Sequence, residues 1–230
     1  MAERELWTAS VGRLGYGEAL EMQRGIARDR ISGAISQDVL LLVEHPPVVT
    51  LGRASKEKHL VASPEFLQSK GVELFEVERG GDVTFHGPGQ LVGYPIIDLK
   101  RHRQDLHWYL RKIEEALINT LADYGITGER NTTFTGVWTQ GKKIASIGVH
   151  AREWVTWHGF ALNVTTDLSY FDLIIPCGID GVVMTSIAHE LGSEEISMQD
   201  VQERVTAKFA EAFDLTAVMT SRATLLETVA

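Results

Sequence analysis

Apolar residues recur along this chain with two spacings, one that fits a helix and one that fits a buried strand. Between Gln104 and Tyr124, apolar side chains follow one another at intervals of three or four residues, which places them on one helical face. They are Leu106, Leu110, Ile113, Leu117, Leu121 and Tyr124. By contrast, Asp38 to Glu44 is a continuous apolar run of strand length, which is typical of a strand buried on both faces.

The same patterns predict the remaining elements. Further strands are expected at Leu6 to Leu14, Val48 to Leu51, Val72 to Val77, Leu91 to Leu99 and Trp154 to Val164, with a hairpin over Val137 to His150. Further helices are expected at Tyr16 to Arg30, at Pro64 to Lys70 after a Ser63 cap, at Ser186 to Leu191, and at Met198 to Phe213 after a Ser197 cap. Because the sequence shows no internal repeat or linker, it predicts one domain over residues 1–230. We expect an α+β fold in which a mixed or antiparallel sheet carries flanking helices.

Residues 79–90, between two of the predicted strands, are rich in glycine and also carry an arginine and a histidine. They read Arg79-Gly80-Gly81-Asp82-Val83-Thr84-Phe85-His86-Gly87-Pro88-Gly89-Gln90. Paired glycines permit a positive φ or the close approach of a ligand, and Gly87-Pro88-Gly89 marks a chain reversal. We interpret the stretch as a loop, either a decorated hairpin or a binding loop. Polar side chains on a loop that is fixed by strands favour the second interpretation.

Composition narrows the class of protein. The 230 residues are 44% hydrophobic, which is enough to bury a core without disulfides or a metal. A single cysteine excludes an internal disulfide, so a reducing, cytoplasmic location is expected. The N-terminal residues lack an apolar signal region, and no apolar run approaches the roughly 20 residues that span a bilayer. The net charge of −9 argues against binding to nucleic acid or to anionic membranes.

Cys177 is the only thiol, and its setting leaves two interpretations open. A lone cysteine in a reducing compartment is commonly a small buried hydrophobe. Here, however, Pro176 and Gly178 flank it on a turn after an apolar run, which would present the thiol rather than pack it. A reactive thiol also needs a nearby cation that favours its thiolate form. The sequence offers these candidates for that cation: Lys142, Lys143, Arg79, His86, His150 and His158.

Patterns typical of metal or nucleotide binding do not stand out. His150 and His158 are eight residues apart, and no Cys/His cluster has the spacing of a zinc site. There is no Walker pattern, and no G-x-G-x-x-G lies between a strand and a helix. We therefore expect neither a metal nor a cofactor.

Four segments carry a resemblance to a known family. Besides residues 79–90, they are Gly141-Lys142-Lys143-Ile144-Ala145-Ser146-Ile147-Gly148, His158-Gly159-Phe160-Ala161-Leu162-Asn163-Val164 and Ile175-Pro176-Cys177-Gly178-Ile179. In order and rough spacing they resemble the signature segments of the lipoyl(octanoyl) transferases. The resemblance covers about residues 10–215, and it implies a fold similar to the catalytic module of biotin and lipoate protein ligases.

The resemblance also implies roles for individual residues. Cys177 matches the nucleophile that takes the octanoyl group as a thioester. Lys143 matches the lysine that lowers the pKa of that thiol and transfers protons, whereas its neighbour Lys142 does not match. The positions that match the substrate-binding segments are Arg79, Gly80, Gly81, Asp82, Val83, Thr84, Phe85, His86, Ser146, Ile147, Gly148, Gly159, Phe160 and Ala161.

The implied reaction is the first step of protein lipoylation. An octanoyl or lipoyl group would pass from octanoyl-acyl-carrier protein to the lysine ε-amine of a lipoyl domain, without ATP. The acceptors implied by the family are the lipoyl domains of 2-oxoacid dehydrogenases and the glycine cleavage H protein. Three alternatives remain open: an ATP-dependent lipoate–protein ligase, a thioesterase that uses the same thiol, and a catalytically silent carrier-binding module.

Such a reaction places further demands on the chain. Burying the acyl chain would contribute roughly 5 kcal/mol, and the small residues Gly80, Gly81, Gly148, Gly159 and Ala161 would leave room for it. Backbone N–H groups near Gly178 or at Gly80-Gly81 would stabilise the oxyanion. Acidic protein partners would need a local cationic face. The candidates for that face are Arg53, Lys56 and Lys58, or Arg101, Arg103, Arg111 and Lys112.

Overall fold

Most strands of the protein belong to one mixed eight-stranded sheet. The structure, a computed structural model, describes residues 4–179 and 181–228. The strands of the large sheet are β1 (Glu5–Arg13), β2 (Asp38–Glu44), β6 (Gln90–Ile96), β7 (Glu129–Arg130), β8 (Val137–Thr139), β9 (Lys142–Arg152), β10 (Val155–Asn163) and β11 (Thr216–Met219). They lie in the order β11-β1-β2-β6-β10-β9-β8-β7. The two pairings of β1, with β11 and with β2, are parallel, and the other pairings are antiparallel.

The remaining strands form a second, three-stranded sheet. They are β3 (Val48–Leu51), β4 (Glu73–Glu76) and β5 (Val83–His86), in the order β4-β3-β5. The sequence correctly predicts that residues 48–51 are a paired strand, but their partners are β4 and β5 rather than a strand of the large sheet. The interpretation of residues 79–90 as a loop throughout is wrong, because β5 lies within it. The flanking glycines obscure this strand in the sequence, although all of its residues are buried.

Helices cover both faces of the large sheet. They are α1 (Tyr16–Ser32), α2 (Pro64–Ser69), α3 (Leu106–Ala122), α4 (Ile187–Leu191), α5 (Met198–Phe213) and α6 (Arg222–Thr228). Apolar residues of α3 and α5 share one core with the sheet, and those of α1 share another core on the opposite face. No helix among the described residues is both long and apolar enough to cross a bilayer.

The predicted helices and caps are confirmed within about two residues. Ser63 accepts a hydrogen bond from the Phe66 N–H, and Ser197 accepts one from the Asp200 N–H, which satisfies the free donors of the first turn. Asp105 caps α3 in the same way, through the Trp108 N–H. Strands β7 and β11 and helix α6 were not predicted. The exposed residues of β11 show no apolar alternation that would reveal a strand.

The small sheet brings distant parts of the chain together. It has its own apolar core, which includes Phe85 and Phe171. The segment that contains Phe171 leads directly to Cys177, and the turn around Cys177 packs against β5. The fold therefore holds the glycine-rich stretch, the thiol and the start of β9 around one space.

Candidate active site

The predicted site residues converge on one pocket between the two sheets. Its volume is about 400 Å³, and Cys177 and Lys143 both line it. All of the predicted substrate-binding residues line it as well, except Phe85. Phe85 instead belongs to the apolar core of the small sheet, where its ring stacks on that of Tyr170 at 4.6 Å between centroids.

Cys177 lies on a short 3₁₀ turn, Pro176–Gly178, in a backbone conformation that is uncommon for a residue with a side chain. Its φ of 58° and ψ of 17° are in the left-handed region, and Gly178 follows with a φ of 66°. The Gly178 N–H donates to the Ile175 carbonyl at 2.9 Å, which closes the turn. The thiol is half-buried and is therefore presented to the pocket, as the Pro-Cys-Gly sequence predicts.

Lys143 is the cation that meets the thiol. Its Nζ lies 2.9 Å from Cys177 Sγ, although the two residues are 34 apart in sequence. Lys143 is only 1% exposed. Within the described part of the chain, the thiol is the one hydrogen-bond partner of Nζ, and the Trp138 ring lies 5.6 Å from it. A buried lysine is costly without a polar partner, and the Cys177 thiol is that partner.

Backbone contacts fix Lys143 in that position. Its N–H donates to the Val183 carbonyl at 2.8 Å, and its carbonyl accepts from the Thr185 N–H at 2.9 Å. Gly136 leaves space for the Lys143 side chain, because a Cβ at position 136 would lie 2.8 Å from Lys143 Cε and 2.6 Å from the Ala145 carbonyl oxygen. The lysine is thus held by its own strand, by the 183–185 segment and by a glycine that leaves it space.

The other candidate cations have different partners. Lys142 points to the opposite side of β9 and forms an ion pair with Glu190, at 2.8 Å between Nζ and Oε1. Arg79 lines the pocket but donates to Thr50 Oγ1, the Thr50 carbonyl and the Gly80 carbonyl. Burial lowers the pKa of Arg79, while the nearby charges of Tyr16, Cys177 and Asp82 act in the opposite direction. The fold therefore separates two adjacent lysines that the sequence alone does not distinguish.

Of the three candidate histidines, His86 and His158 line the pocket and His150 does not. Burial lowers the pKa of His86 to about 3, so this pocket residue is neutral at physiological pH. Its Nδ1 lies 2.9 Å from Gln90 Oε1. Burial also lowers the pKa of His158, whose Nε2 lies 3.8 Å from Glu78 Oε1. His150 packs edge-on against Trp157 outside the pocket lining.

The structure narrows two sequence-based expectations about backbone positions. The N–H of Gly178 and that of Gly80 are already bonded, to the carbonyls of Ile175 and Val149, so neither is free to hold an oxyanion, whereas the role expected of the Gly81 N–H stays a prediction. Gly148 and Gly159 line the pocket but are needed for another reason. A Cβ at Gly148 would lie 2.8 Å from the Gly80 carbonyl oxygen, and one at Gly159 would lie 2.1 Å from that of Gly93. Glycine is therefore required at these two positions because the backbone of a neighbouring segment approaches too closely for a side chain.

Several residues that line the pocket are not identifiable from the sequence. Tyr16 begins α1, Tyr94 lies on β6, and Leu106, Leu110 and Phe134 form an apolar wall. The two leucines appear in the sequence only as members of the apolar face of a helix, which has the same signature whether it faces a core or a ligand. Tyr16 and Tyr94 carry no motif, so only the three-dimensional fold reveals them.

The chain is similar over most of its length to proteins of one family. The sequence profile described as the lipoyl protein ligase A/B catalytic domain matches residues 15–210. The chain is 51% identical over 217 residues to an octanoyltransferase of Acidobacterium capsulatum, a match that covers 88% of each chain. It is 52% identical over 202 residues to an octanoyltransferase of Rubrobacter xylanophilus, covering 87% of this chain and 90% of that protein.

The fold also has counterparts among solved structures. A crystal structure of lipoate-protein ligase A bound with ATP superposes with a TM-score of 0.74 and covers 99% of this chain and 92% of the ligase. The sequence identity is 17%, so this likeness concerns the fold alone. It confirms the predicted α+β architecture.

Proposed function

The chain belongs to the lipoyl protein ligase A/B catalytic domain family, and we propose that within this family it is an octanoyltransferase that works through a thioester at Cys177. Relatives named octanoyltransferase share about half of its residues over most of its length. The observation that carries the proposal is the 2.9 Å contact between Cys177 Sγ and the buried Lys143 Nζ. A thiolate held by a cation is the nucleophile that acyl transfer requires.

The first half of the reaction loads the enzyme. The Cys177 thiolate attacks the thioester carbonyl of octanoyl-acyl-carrier protein, and a new carbon–sulfur bond forms. The old carbon–sulfur bond breaks, and the carrier thiolate takes a proton from the Lys143 ammonium. One thioester replaces another, so the step needs no ATP. It leaves acylated Cys177 beside a neutral Lys143, which is the base for the next half.

The second half transfers the acyl group to protein. The ε-ammonium of the acceptor lysine gives one proton to neutral Lys143 and attacks the acyl-enzyme as an amine. The second proton leaves to solvent as the amide forms, and Cys177 departs as a thiolate. The ammonium and thiolate pair is thereby restored. Exchanging a thioester for an amide is favourable and drives the cycle forward.

The pocket suits a short acyl chain. Leu106, Leu110, Phe134 and Val92 supply apolar surface, and Ala161 is small enough to leave a gap. The acceptor is a lipoyl domain, as in 2-oxoacid dehydrogenases or the glycine cleavage H protein, and the donor is the acyl-carrier protein. A free thiol of this kind stays reduced in the cytoplasm, which we propose as its location.

Turnover without ATP separates this proposal from the other candidates. The protein is incubated with octanoyl-acyl-carrier protein and a lipoyl domain in buffer free of nucleotide, and the intact mass of the domain is then measured by mass spectrometry. We expect octanoylated domain, and no product from Cys177→Ser, because a serine hydroxyl is a far weaker nucleophile beside the same lysine. Product that forms only with ATP would indicate a ligase, and free octanoate alone would indicate a thioesterase. If neither product forms, the protein is a silent carrier-binding module.

A further inference from the structure

The turn that carries Cys177 needs support from outside itself. Two successive residues, Cys177 and Gly178, have positive φ values, and the left-handed conformation is unfavourable for a residue with a Cβ. The hydrogen bonds within the turn run from the Gly178 N–H to Ile175 and from the Ile179 N–H to Pro176. They close the chain reversal but do not fix its distance from Lys143.

A buried histidine and aspartate lie directly against this turn. His59 Nδ1 is 2.7 Å from Asp82 Oδ2, and both side chains are about nine-tenths buried. An ideal Cβ at Gly178 would lie 2.4 Å from Asp82 Oδ2 and 2.8 Å from His59 Nδ1. Gly178 therefore rests on the contact between the two side chains. The His59 carbonyl also accepts the Ile175 N–H at 2.8 Å, which ties the start of the turn to the same residue.

The hydrogen bonds of Asp82 define its orientation. One carboxylate oxygen accepts from the Val83 N–H at 2.8 Å, and the other accepts from His59. Both oxygens thus receive a donor, and His59 must carry its proton on Nδ1. An asparagine at position 82 would satisfy only one of these donors, because its amide group has a single acceptor oxygen.

We propose that His59 and Asp82 are positioning residues that hold the Cys177 turn at the distance where its thiol meets Lys143. They act through Gly178 and Ile175 rather than by touching the substrate. The charged groups around the thiol are then Lys143 at 2.9 Å, Arg79 within electrostatic range and the Asp82 carboxylate under Gly178. If the turn shifts, the thiolate loses Lys143 but remains near the carboxylate, so the thiol becomes harder to ionise.

The test measures the thiol itself, because the role in catalysis rests on the proposed function whereas alkylation does not. The rate of Cys177 alkylation by iodoacetamide is followed from pH 5 to pH 10 by intact mass. Two substitutions at position 59 distinguish the role of Nδ1 from that of Nε2, because asparagine keeps a hydrogen-bond donor near the position of Nδ1 and glutamine does not. The variants are His59→Asn, His59→Gln and Asp82→Asn. The matched control is Asp38→Asn, which breaks a similarly buried pair, His102 Nε2 to Asp38 Oδ2 at 2.6 Å, elsewhere in the fold.

For His59→Gln we expect the alkylation profile to move to higher pH by about one unit, which is a tenfold change in thiolate population. For Asp82→Asn the shift should have the same direction but be smaller, because this substitution also removes the carboxylate that disfavours the thiolate. Octanoyl transfer should lose a similar factor in kcat, with KM for the carrier unchanged. The alkylation profile of His59→Asn should stay near that of the wild type. Asp38→Asn should lower the melting temperature but leave the alkylation profile unchanged. The proposal is overturned if His59→Gln leaves the profile in place, if His59→Asn shifts it equally, or if Asp38→Asn shifts it too. A protein that shows the expected shifts but transfers no octanoate would instead contradict the proposed function.

Discussion

Lys143 places its ammonium group where water cannot solvate it, with a thiol as its neighbour. At the scale of single residues, the proposed chemistry depends on this contact. Six cations were open as candidates from the sequence, and the residues alone gave no means of choosing among them. The family resemblance singled out Lys143, and the geometry agrees. The pocket tyrosines, by contrast, were not predictable, because an aromatic residue on a helix or strand has the same pattern in a core.

Replacing Lys143 tests this contact directly. In Lys143→Met the thiolate loses its nearest cation, so the iodoacetamide alkylation profile should shift to higher pH by at least about one unit. Lys142→Met is the matched control, since that lysine pairs with Glu190 instead. Its profile should match the wild type. Equal profiles for the two variants would show that Lys143 does not govern the thiol.

Buried histidines make stability depend on pH. Burial lowers the pKa of His86 to about 3 and that of His45 to about 4, whereas in the unfolded chain both titrate near their ordinary value of 6.5. Between these values the unfolded chain binds more protons than the folded protein, so stability falls as the pH falls below about 6.5.

Urea denaturation at pH 7 and pH 5 measures this effect. Each buried histidine should contribute a slope of up to about 1.4 kcal/mol per pH unit in the free energy of unfolding. His86→Gln should be less stable at pH 7 but should have a shallower pH dependence than the wild type. His107→Gln changes an exposed residue and should keep the full slope. An unchanged slope in His86→Gln would mean that His86 is not held neutral by the fold.

At the scale of elements, the segment at residues 52–59 joins the pocket to the surface. The N–H groups of Arg53 and Ala54 donate to the carbonyls of Arg79 and Gly81, so the segment lies along the glycine-rich stretch. Arg53, Lys56 and Lys58 are exposed, and none has an ion-pair partner among the described residues. The other candidate cationic face, which includes three residues at or near the start of α3, is largely neutralised by ion pairs. There, Arg103, Arg111 and Lys112 pair with Asp105, Glu114 and Glu115, respectively. We therefore expect an acidic carrier to bind the face formed by Arg53, Lys56 and Lys58.

Removing charge from each face compares them. Lys56→Ala/Lys58→Ala should raise KM for octanoyl-acyl-carrier protein several-fold at low salt, with little change in kcat, because rim charges act mainly on encounter. The difference should shrink as salt screens it. Arg103→Ala/Lys112→Ala removes the same charge and should change KM much less. The opposite ranking would place the carrier on the α3 side.

Elements with a clear period were predictable, and their pairing was not. Asp38 to Glu44 and the 104–124 helix follow from local spacing. The separate sheet of β3, β4 and β5 depends on contacts between distant residues, and β5 is too short and too closely flanked by glycine to show a period. The pairing of β11 with β1 joins positions more than two hundred residues apart. Local patterns do not encode such contacts.

At the scale of the whole molecule, the fold matches that of an ATP-binding ligase, yet the proposed reaction needs no nucleotide. The proposed reaction depends instead on the pair of Cys177 and Lys143 that the fold assembles in the pocket. The three-stranded sheet, the turn at Cys177 and the first residues of β9 come from separate parts of the chain. In the proposed reaction, their convergence makes Cys177 the residue that holds the acyl group between the donor and the acceptor.

Intact-mass spectrometry of the protein after exposure to octanoyl-acyl-carrier protein, without ATP, tests this role of Cys177. The wild type should gain the mass of one octanoyl group on Cys177, and the added mass should disappear when a lipoyl domain is supplied and appear on that domain. Cys177→Ser should gain none. An unmodified wild type that nonetheless octanoylates the domain, or an adduct that persists in Cys177→Ser, would contradict the thioester mechanism.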